Sequence, residues 1–528
     1  MASGPSSAPE SWHPPAHNPW LIAAAVMSAT FMEVLDTSVA NVSLPHIAGN
    51  LSVTTNEATW VLTSYLVSNA IVLPMTGWLA LRFGRKRLLL LCIALFTLAS
   101  ILCGMAPSLP FLIVARIFQG IGGGAMMPIS QAILLESFPP AKRGQAMAVF
   151  AMGVVVAPIL GPTLGGWITD NYSWRWIFYI NLPVGVMAIL LARAFIEDPH
   201  YITSAKVEKV DAAGFAFLTV WLGTFQIILD KGQQEDWFES TWICWFTAAS
   251  IISFVAFVVR ELTTKNPIVD LRVLANRNFG TGVALITLVG VVLYGTTAAL
   301  PIFLQTSLGY PALQSGEVLS PRGVGAFVMT MLVGRLVGRV SSRWLIICGF
   351  SLLTVSSFML GRLNMEMRQM DIILPSIING IAVSLIFVPL TTTAMGQLRQ
   401  TQMGNASGLY NLMRNLGGSV GIAAVTTIID RASQAHQAVM VVHMTPYDSA
   451  YTERLAGVAA SLAPSIGSWG ASQQAQQILY NILLEQSRLA AFVDNFRLFG
   501  ILCLFCIPLV FIFKKTAKQG RLVKPDLH

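Results

Sequence analysis

The chain has 528 residues, 54% hydrophobic and only 11% charged, with a mean hydropathy of +0.65. A water-soluble domain carries about 25% charged residues, so this composition excludes one and points to an integral membrane protein. The net charge of +8 is dispersed over loops between apolar stretches, which argues against a nucleic-acid-binding patch.

Residues 1–18 contain no Lys or Arg and several prolines, so they lack the basic start of a cleaved leader and read as a disordered cytoplasmic tail. Fourteen apolar stretches follow, near 20–42, 57–80, 88–106, 109–134, 145–168, 174–196, 211–230, 241–260, 279–304, 314–337, 343–361, 372–396, 406–429 and 494–513. Each is long enough to cross a hydrocarbon core of about 30 Å as a helix. The expected fold class is therefore an all-α integral membrane protein with 14 transmembrane helices. The six cysteines fall in or beside these stretches and read as small packing residues.

The first stretch carries two acids, Glu33 and Asp36. Three residues apart on a helix, they share one face. A charged group at bilayer depth costs at least ~2.5–3.5 kcal/mol, so such residues usually line a bundle interior and serve ion or proton movement. Arg116, in the fourth stretch, is a guanidinium that cannot deprotonate and needs an acceptor. Arg322 and Arg414 are further intramembrane cations with no partner evident from sequence. The seven histidines lack metal-ligand spacing, and no phosphate-binding G-x-x-x-x-G-K-[ST] loop is present, so neither a metal site nor ATP-driven pumping is expected.

Basic residues occupy alternate loops: Arg82, Arg85, Lys86 and Arg87; Lys142 and Arg143; Arg260, Lys265, Arg272 and Arg277; Arg335, Arg339 and Arg343; and Lys514, Lys515, Lys518, Arg521 and Lys524. This is the positive-inside pattern, and it places both termini in the cytoplasm.

The two halves resemble each other at an offset of 260 residues. Gln119-Gly120-Ile121 matches Asn379-Gly380-Ile381, and Gly144 and Ala146 match Gly404 and Ala406. A Gly-and-basic loop also occurs in both, at Gly77 to Lys86 and at Gly334 to Arg339. Such repeats are typical of transporters, whose substrate site lies at the repeat interface. The expected organisation is a tail (1–18), a six-helix half (19–197), a linker with two inserted helices (198–277), a second six-helix half (278–513) and a basic tail (514–528). The second half includes a long extracytoplasmic loop, 430–494, with helix-like stretches such as Gln473 to Arg488.

Six motifs, in order, resemble the major facilitator superfamily and within it the fourteen-span, EmrB-like drug:proton antiporter branch. They are Leu35-Asp36-Thr37-Ser38-Val39-Ala40-Asn41-Val42-Ser43-Leu44-Pro45; Gly77-Trp78-Leu79-Ala80-Leu81-Arg82-Phe83-Gly84-Arg85-Lys86; Arg116-Ile117-Phe118-Gln119-Gly120; Ala157-Pro158-Ile159-Leu160-Gly161-Pro162-Thr163-Leu164-Gly165-Gly166; Trp174 to Pro183; and Asn266-Pro267-Ile268-Val269-Asp270. The resemblance implies the major facilitator fold, with 6+6 pseudo-symmetric halves and two inserted central helices. It also implies proton-coupled export, with no cofactor and the proton gradient as energy source.

It assigns proton coupling to Asp36 and Arg116, with Glu33 either a second titrating site or a recognition charge for cationic substrates. Gating falls to Gly77, Arg85 and Lys86. An antiporter seam falls to Pro158, Gly161, Pro162, Gly165 and Gly166, where small residues allow close helix approach and prolines kink the helix. The gating loop departs from the family pattern at Leu81, where an Asp is usual. Tyr65, Asn69, Met127, Gln131, Tyr294, Tyr410 and Asn411 are polar, aromatic or adaptable residues within spans and form a candidate substrate cavity. The implied setting is the bacterial inner membrane. Implied partners are a periplasmic EmrA-like membrane-fusion adaptor, an outer-membrane TolC-like channel and small hydrophobic substrates, with loop 430–494 part of the adaptor contact. Two other readings fit the same sequence: a dedicated exporter of one metabolite, such as a fatty acid or siderophore, and a non-transporting membrane sensor or scaffold.

Overall fold

The computed structural model describes residues 15–139, 142–198, 211–265, 267–337, 339–399 and 402–514. The expected tails therefore fall largely outside the described residues, as do Asn266 and Gly338 of the motifs. In lipid every backbone polar group must be satisfied within the chain, and long apolar runs meet that demand as helices. The principal ones are α1 (Pro19–Val42), α2 (Trp60–Phe83), α3 (Arg85–Gly104), α4 (Leu109–Ser137), α5 (Arg143–Asn171), α6 (Trp176–Phe195), α7 (Ala212–Lys231), α8 (Thr241–Thr263) and α9 (Arg277–Thr306). They continue with α10 in two pieces (Ala312–Leu319 and Pro321–Leu336), α11 (Ser342–Leu360), α12 (Met370–Met395), α13 (Met403–Val441) and α14 (Ser449–Val510). No strand is present among the described residues, only an isolated bridge between Val337 and Val340.

All fourteen expected stretches fall on these helices, but two are interrupted. Among the described residues, twelve helices are long and apolar enough to cross a membrane. Helix α5 adds a thirteenth if its parts, Arg143–Pro158 and Thr163–Asn171, count as one span bent by 41°. The bend follows from Pro158 and Pro162, each of which removes a backbone donor. Helix α10 breaks where Pro321 begins a new helix, so a count of fourteen holds only if its two pieces cross together.

Most of the 430–494 segment is helical. Helix α13 runs on to Val441, and α14 begins at Ser449, capped by Asp448. It bends at Gly467, where φ is 77°, a backbone state that suits glycine. The extension of α13 is pinned to α14 by His436 to Asp494 (2.8 Å) and by Gln437 to the Tyr480 hydroxyl (2.9 Å).

Within the halves the repeat is visible as geometry. A Cβ on Gly120 of α4 would lie 2.5 Å from the Tyr65 carbonyl of α2. A Cβ on the matching Gly380 of α12 would lie 2.0 Å from the Arg322 carbonyl of α10. Both glycines let one helix backbone press on another. The inserted helices α7 and α8 pack on each other, and α7 also lies against α2 and α13. It joins the two halves: Asp230 accepts from the Thr63 hydroxyl, Ser419 donates to Gln226 (3.0 Å) and Gln233 donates to Asp430 (3.1 Å).

Candidate functional site at the interface of the two halves

Glu33 and Asp36 share a face of α1, yet each meets different neighbours. The Asp36 carboxylate accepts from Arg116 Nη1 at 2.6 Å, from Gln119 Nε2 at 2.9 Å and from Asn181 Nδ2 at 2.6 Å. Both members of the ion pair are shielded from solvent, at 1% and 0% side-chain exposure. Arg116 also donates to the Val61 carbonyl (3.0 Å) and to Gln119 Oε1 (2.8 Å), and its guanidinium sits 4.3 Å from the Tyr65 ring centroid. Asp36 is thus anchored by α4 and α6, and the pair lies wholly within the first half.

Glu33 has a sparser shell. Its Oε1 accepts from Asn69 Nδ2 of α2 at 3.1 Å, and its Oε2 is buried with no hydrogen-bond partner. Beyond it lies the second half. Met127 of α4 has its sulfur 2.7 Å from Arg414 Nη2 of α13. Gln131 Oε1 accepts from Ser407 (2.9 Å) and Asn411 (2.6 Å), both on α13. Gln131 Nε2, Asn411 Oδ1, the Tyr65 hydroxyl, and Arg414 Nε and Nη1 are buried without partners. The structure therefore brings Tyr65, Asn69, Met127, Gln131 and Asn411 together around Glu33 and Arg414. Tyr410 is also buried but turns to Thr391 (3.1 Å), and Tyr294 packs over Gly418. Arg322 donates to the Thr297 hydroxyl at 2.9 Å, with no carboxylate in ion-pair contact.

The expected gating residues lie at the end of the bundle that carries the basic loops. A Cβ on Gly77 would come within 2.8 Å of the Asn405 backbone, so α2 and α13 are in direct backbone contact there. The repeat-related contact joins α5 to α10: a Cβ on Gly144 would meet the Val337 side chain at 2.8 Å. Arg85 forms an ion pair with Glu136, and the Lys86 backbone N–H donates to Asp198 Oδ1 at 2.8 Å. These partners were not foreseen. Leu81, at the usual Asp position, is exposed.

The seam of α5 packs on α1. A Cβ on Gly161 would meet Ser38 Oγ at 2.2 Å, and one on Gly165 would meet Val39 at 2.9 Å. Gly166 has open space beside it, so the close approach uses the first two glycines and not the third. Pro162 has no N–H to give the carbonyl four residues back, that of Pro158. The Ser38 hydroxyl supplies the missing donor at 3.1 Å. The side chain of Pro162 itself lies outside the described ones.

The model of the Major Facilitator Superfamily matches residues 26–422, three quarters of the chain. The chain belongs to the major facilitator superfamily. Among its relatives is the multidrug export protein EmrB of Haemophilus influenzae, 38% identical over 429 residues, 81% of this chain and 84% of that protein. The fatty acid resistance protein FarB of Neisseria gonorrhoeae is 37% identical over 493 residues, 93% of this chain and 95% of that protein. The fold matches the superfamily's proton:xylose symporter XylE at a TM-score of 0.61, with 14% identity, over 94% of this chain and 95% of that one.

In superfamily terms, the cluster lies between the two six-helix halves, where transporters of this kind place their substrate sites. Sequence reasoning missed Gln119 and Asn181 as holders of Asp36. Gln119 carries a usable signal, because it lies one helical turn beyond Arg116 on the same face. It also missed Ser407, which only the approach of α13 to α4 brings into range.

Proposed function

We propose that the protein is a proton-coupled antiporter that exports hydrophobic drugs and toxic compounds across the bacterial inner membrane. The single observation that carries this reading is the unequal treatment of two acids one turn apart. Protonating Asp36 would break an ion pair and disturb two amide hydrogen bonds. Glu33 can take a proton on Oε2, which has no partner, and it faces the interface between the halves. In the proposed cycle Glu33 exchanges the proton, while Asp36 and Arg116 hold α1 against α4 and α6 so that the exchange changes the fit between the halves. The glycine contacts at the basic-loop end act as the seal that opens and closes.

The relatives named multidrug export proteins support the substrate class. Resemblance to EmrB further supports a role as the pump of a tripartite system, with an EmrA-like adaptor and a TolC-like channel. The helical arm formed by α13 beyond residue 430 and the first part of α14 is the proposed adaptor contact. A second reading, export of a single metabolite such as a fatty acid, is favoured by FarB, which aligns over 93% of this chain. Proteoliposomes with an imposed proton gradient test the reading. Substrate-dependent proton movement is expected for the wild type and absent for Glu33→Gln. A Glu33→Gln protein that still exchanges protons for substrate at the wild-type rate would overturn the assignment. A panel of unrelated hydrophobic compounds against fatty acids separates broad export from dedicated export.

A further inference from the structure

Arg414 is the least compensated cation in the interior. It is 2% exposed, on α13 and facing the first half. Its Nη2 is spent on a thioether, Met127 Sδ, and on Asn415 Oδ1 at 3.3 Å. Thioether sulfur is a weak acceptor, and a guanidinium cannot shed its charge. Among the described residues, Nε and Nη1 have no hydrogen-bond partner. The ring of Phe387 lies 5.9 Å away, at the edge of useful cation–π range. A buried charge in this condition is costly unless something pairs with it.

Across the interface, Glu33 presents a carboxyl group whose Oε2 has no hydrogen-bond partner among the described residues. The two residues act on each other through space without an ion-pair contact among the described residues, and Met127 touches both, its backbone toward the Glu33 carboxyl and its sulfur toward Arg414 Nη2. A ligand that is only a cation would satisfy Glu33 and be repelled by Arg414. A ligand that is only an anion would satisfy Arg414 and be repelled by an ionised Glu33. A molecule with both charges satisfies both residues at once.

We propose that Glu33 and Arg414 form a two-pronged site for amphoteric amphiphiles, which carry a carboxylate and a protonated amine on an apolar body. The carboxylate pairs with Nε and Nη1 of Arg414, the arrangement in which a guanidinium binds two oxygens side by side. The amine takes Glu33 Oε2. The apolar body lies along Met127, Tyr65 and Phe387, and Gln131 Nε2 and Asn411 Oδ1 supply a free donor and a free acceptor for neutral polar groups. The amine and the proton then compete for the same carboxylate, which suits exchange. The inference rests on the export reading in treating this interface as the substrate path.

The test is equilibrium binding to the purified full-length protein in detergent, followed by quenching of tryptophan fluorescence. The probes are 4-(aminomethyl)benzoic acid and its biphenyl homologue, each beside its methyl ester (cation only) and its N-acetyl derivative (anion only). In at least one of the two series, the zwitterion is expected to bind the wild type about tenfold or more tighter than either singly charged form, the equivalent of one charge-assisted contact. Arg414→Gln should reduce the zwitterion to the level of its ester. Glu33→Gln should reduce it to the level of its N-acetyl derivative. Arg414→Lys, which keeps the charge, should retain part of the preference and guards against a variant that fails to fold.

A zwitterion preference within about twofold in both series, or one that survives both neutral substitutions, would overturn the proposal. Binding needs no flux, so the two readings fail separately. A charge preference without proton-coupled transport leaves the site standing and sinks the export reading. Transport without a charge preference does the reverse.

Discussion

Asp36→Asn removes the only carboxylate paired with Arg116 among the described residues, and the structure sets the scale of the loss. At 2.6 Å, with an effective dielectric of about 20, the pair attracts by ~6 kcal/mol before desolvation is counted. Removing one partner of a buried pair leaves the other charge uncompensated, at a typical cost of ~3–5 kcal/mol. Arg116 keeps the Val61 carbonyl, Gln119 Oε1 and the Tyr65 ring, so the lower end, ~3 kcal/mol, is expected. Arg116→Met should cost a similar ~3 kcal/mol, because Asp36 keeps its two amide donors. The double variant removes both charges and should cost little more than either single one, a coupling of at least ~2 kcal/mol. Equilibrium unfolding in mixed micelles measures all three. Single costs below ~1 kcal/mol, or costs that add to within ~0.5 kcal/mol, would refute the claim that this pair anchors α1.

Three further outcomes follow from the packing. Gly161→Val should push α5 from α1, at ~1–3 kcal/mol by over-packing, whereas Gly166→Ala should change stability by less than ~0.5 kcal/mol; thermal unfolding compares them, and equal effects would contradict the seam described. Gly77→Val should block closure at the basic-loop end, so a cysteine pair across α2 and α13 should cross-link less than in the otherwise unchanged protein, and unchanged cross-linking would rule the contact out as a seal. At the start of α7, Arg260 holds the Asp211 carboxyl below the usual carboxylate range through a pair of hydrogen bonds (2.8 and 3.1 Å). Its contribution is therefore complete above the unfolded-state value and fades as pH falls through and below it. Arg260→Gln should weaken that acid sensitivity, leaving the part due to the Gly214 N–H and the Thr264 hydroxyl, as read by amide exchange at the start of α7, and a profile unaltered by the substitution would count against it.

Much of this was legible because membrane chemistry leaves few choices. The long apolar runs had to be helices, and two acids and an arginine inside them had to find partners. The motif around Asp36 and the one around Arg116 placed them on helices that meet, and the 2.6 Å contact is the result. The division between Asp36 and Glu33 was not legible. It depends on the Gln119 and Asn181 side chains reaching one acid and the Asn69 side chain reaching the other, which is set by helix rotation and not by spacing along α1. The full helical extent of the 430–494 segment was only partly legible for a related reason. Its polar composition lacks the apolar run that marks a span, yet a polar helix needs only one packed face, and α13 and α14 supply it to each other.

The loss of the usual Asp at Leu81 has a structural counterpart that bears on the cycle. At the basic-loop end, Arg85 pairs with Glu136 inside the first half, and the Lys86 backbone donates to Asp198 at the first residue of the linker. The contacts that cross between halves there are of another kind: Gly77 on the Asn405 backbone, Gly408 beside the Leu73 carbonyl, and Gly144 on Val337. Backbone packing of this sort depends steeply on distance and hardly at all on charge. It can be made and broken without stranding an ion in the bilayer. An Asp-based latch would have to desolvate its carboxylate each time it closed. In this chain the charges that stay paired do so inside a half, at Asp36 and Arg116, where no step of the proposed cycle separates them. The groups with unpartnered atoms, Glu33 and Arg414, face each other across the interface that the proposed cycle opens and closes.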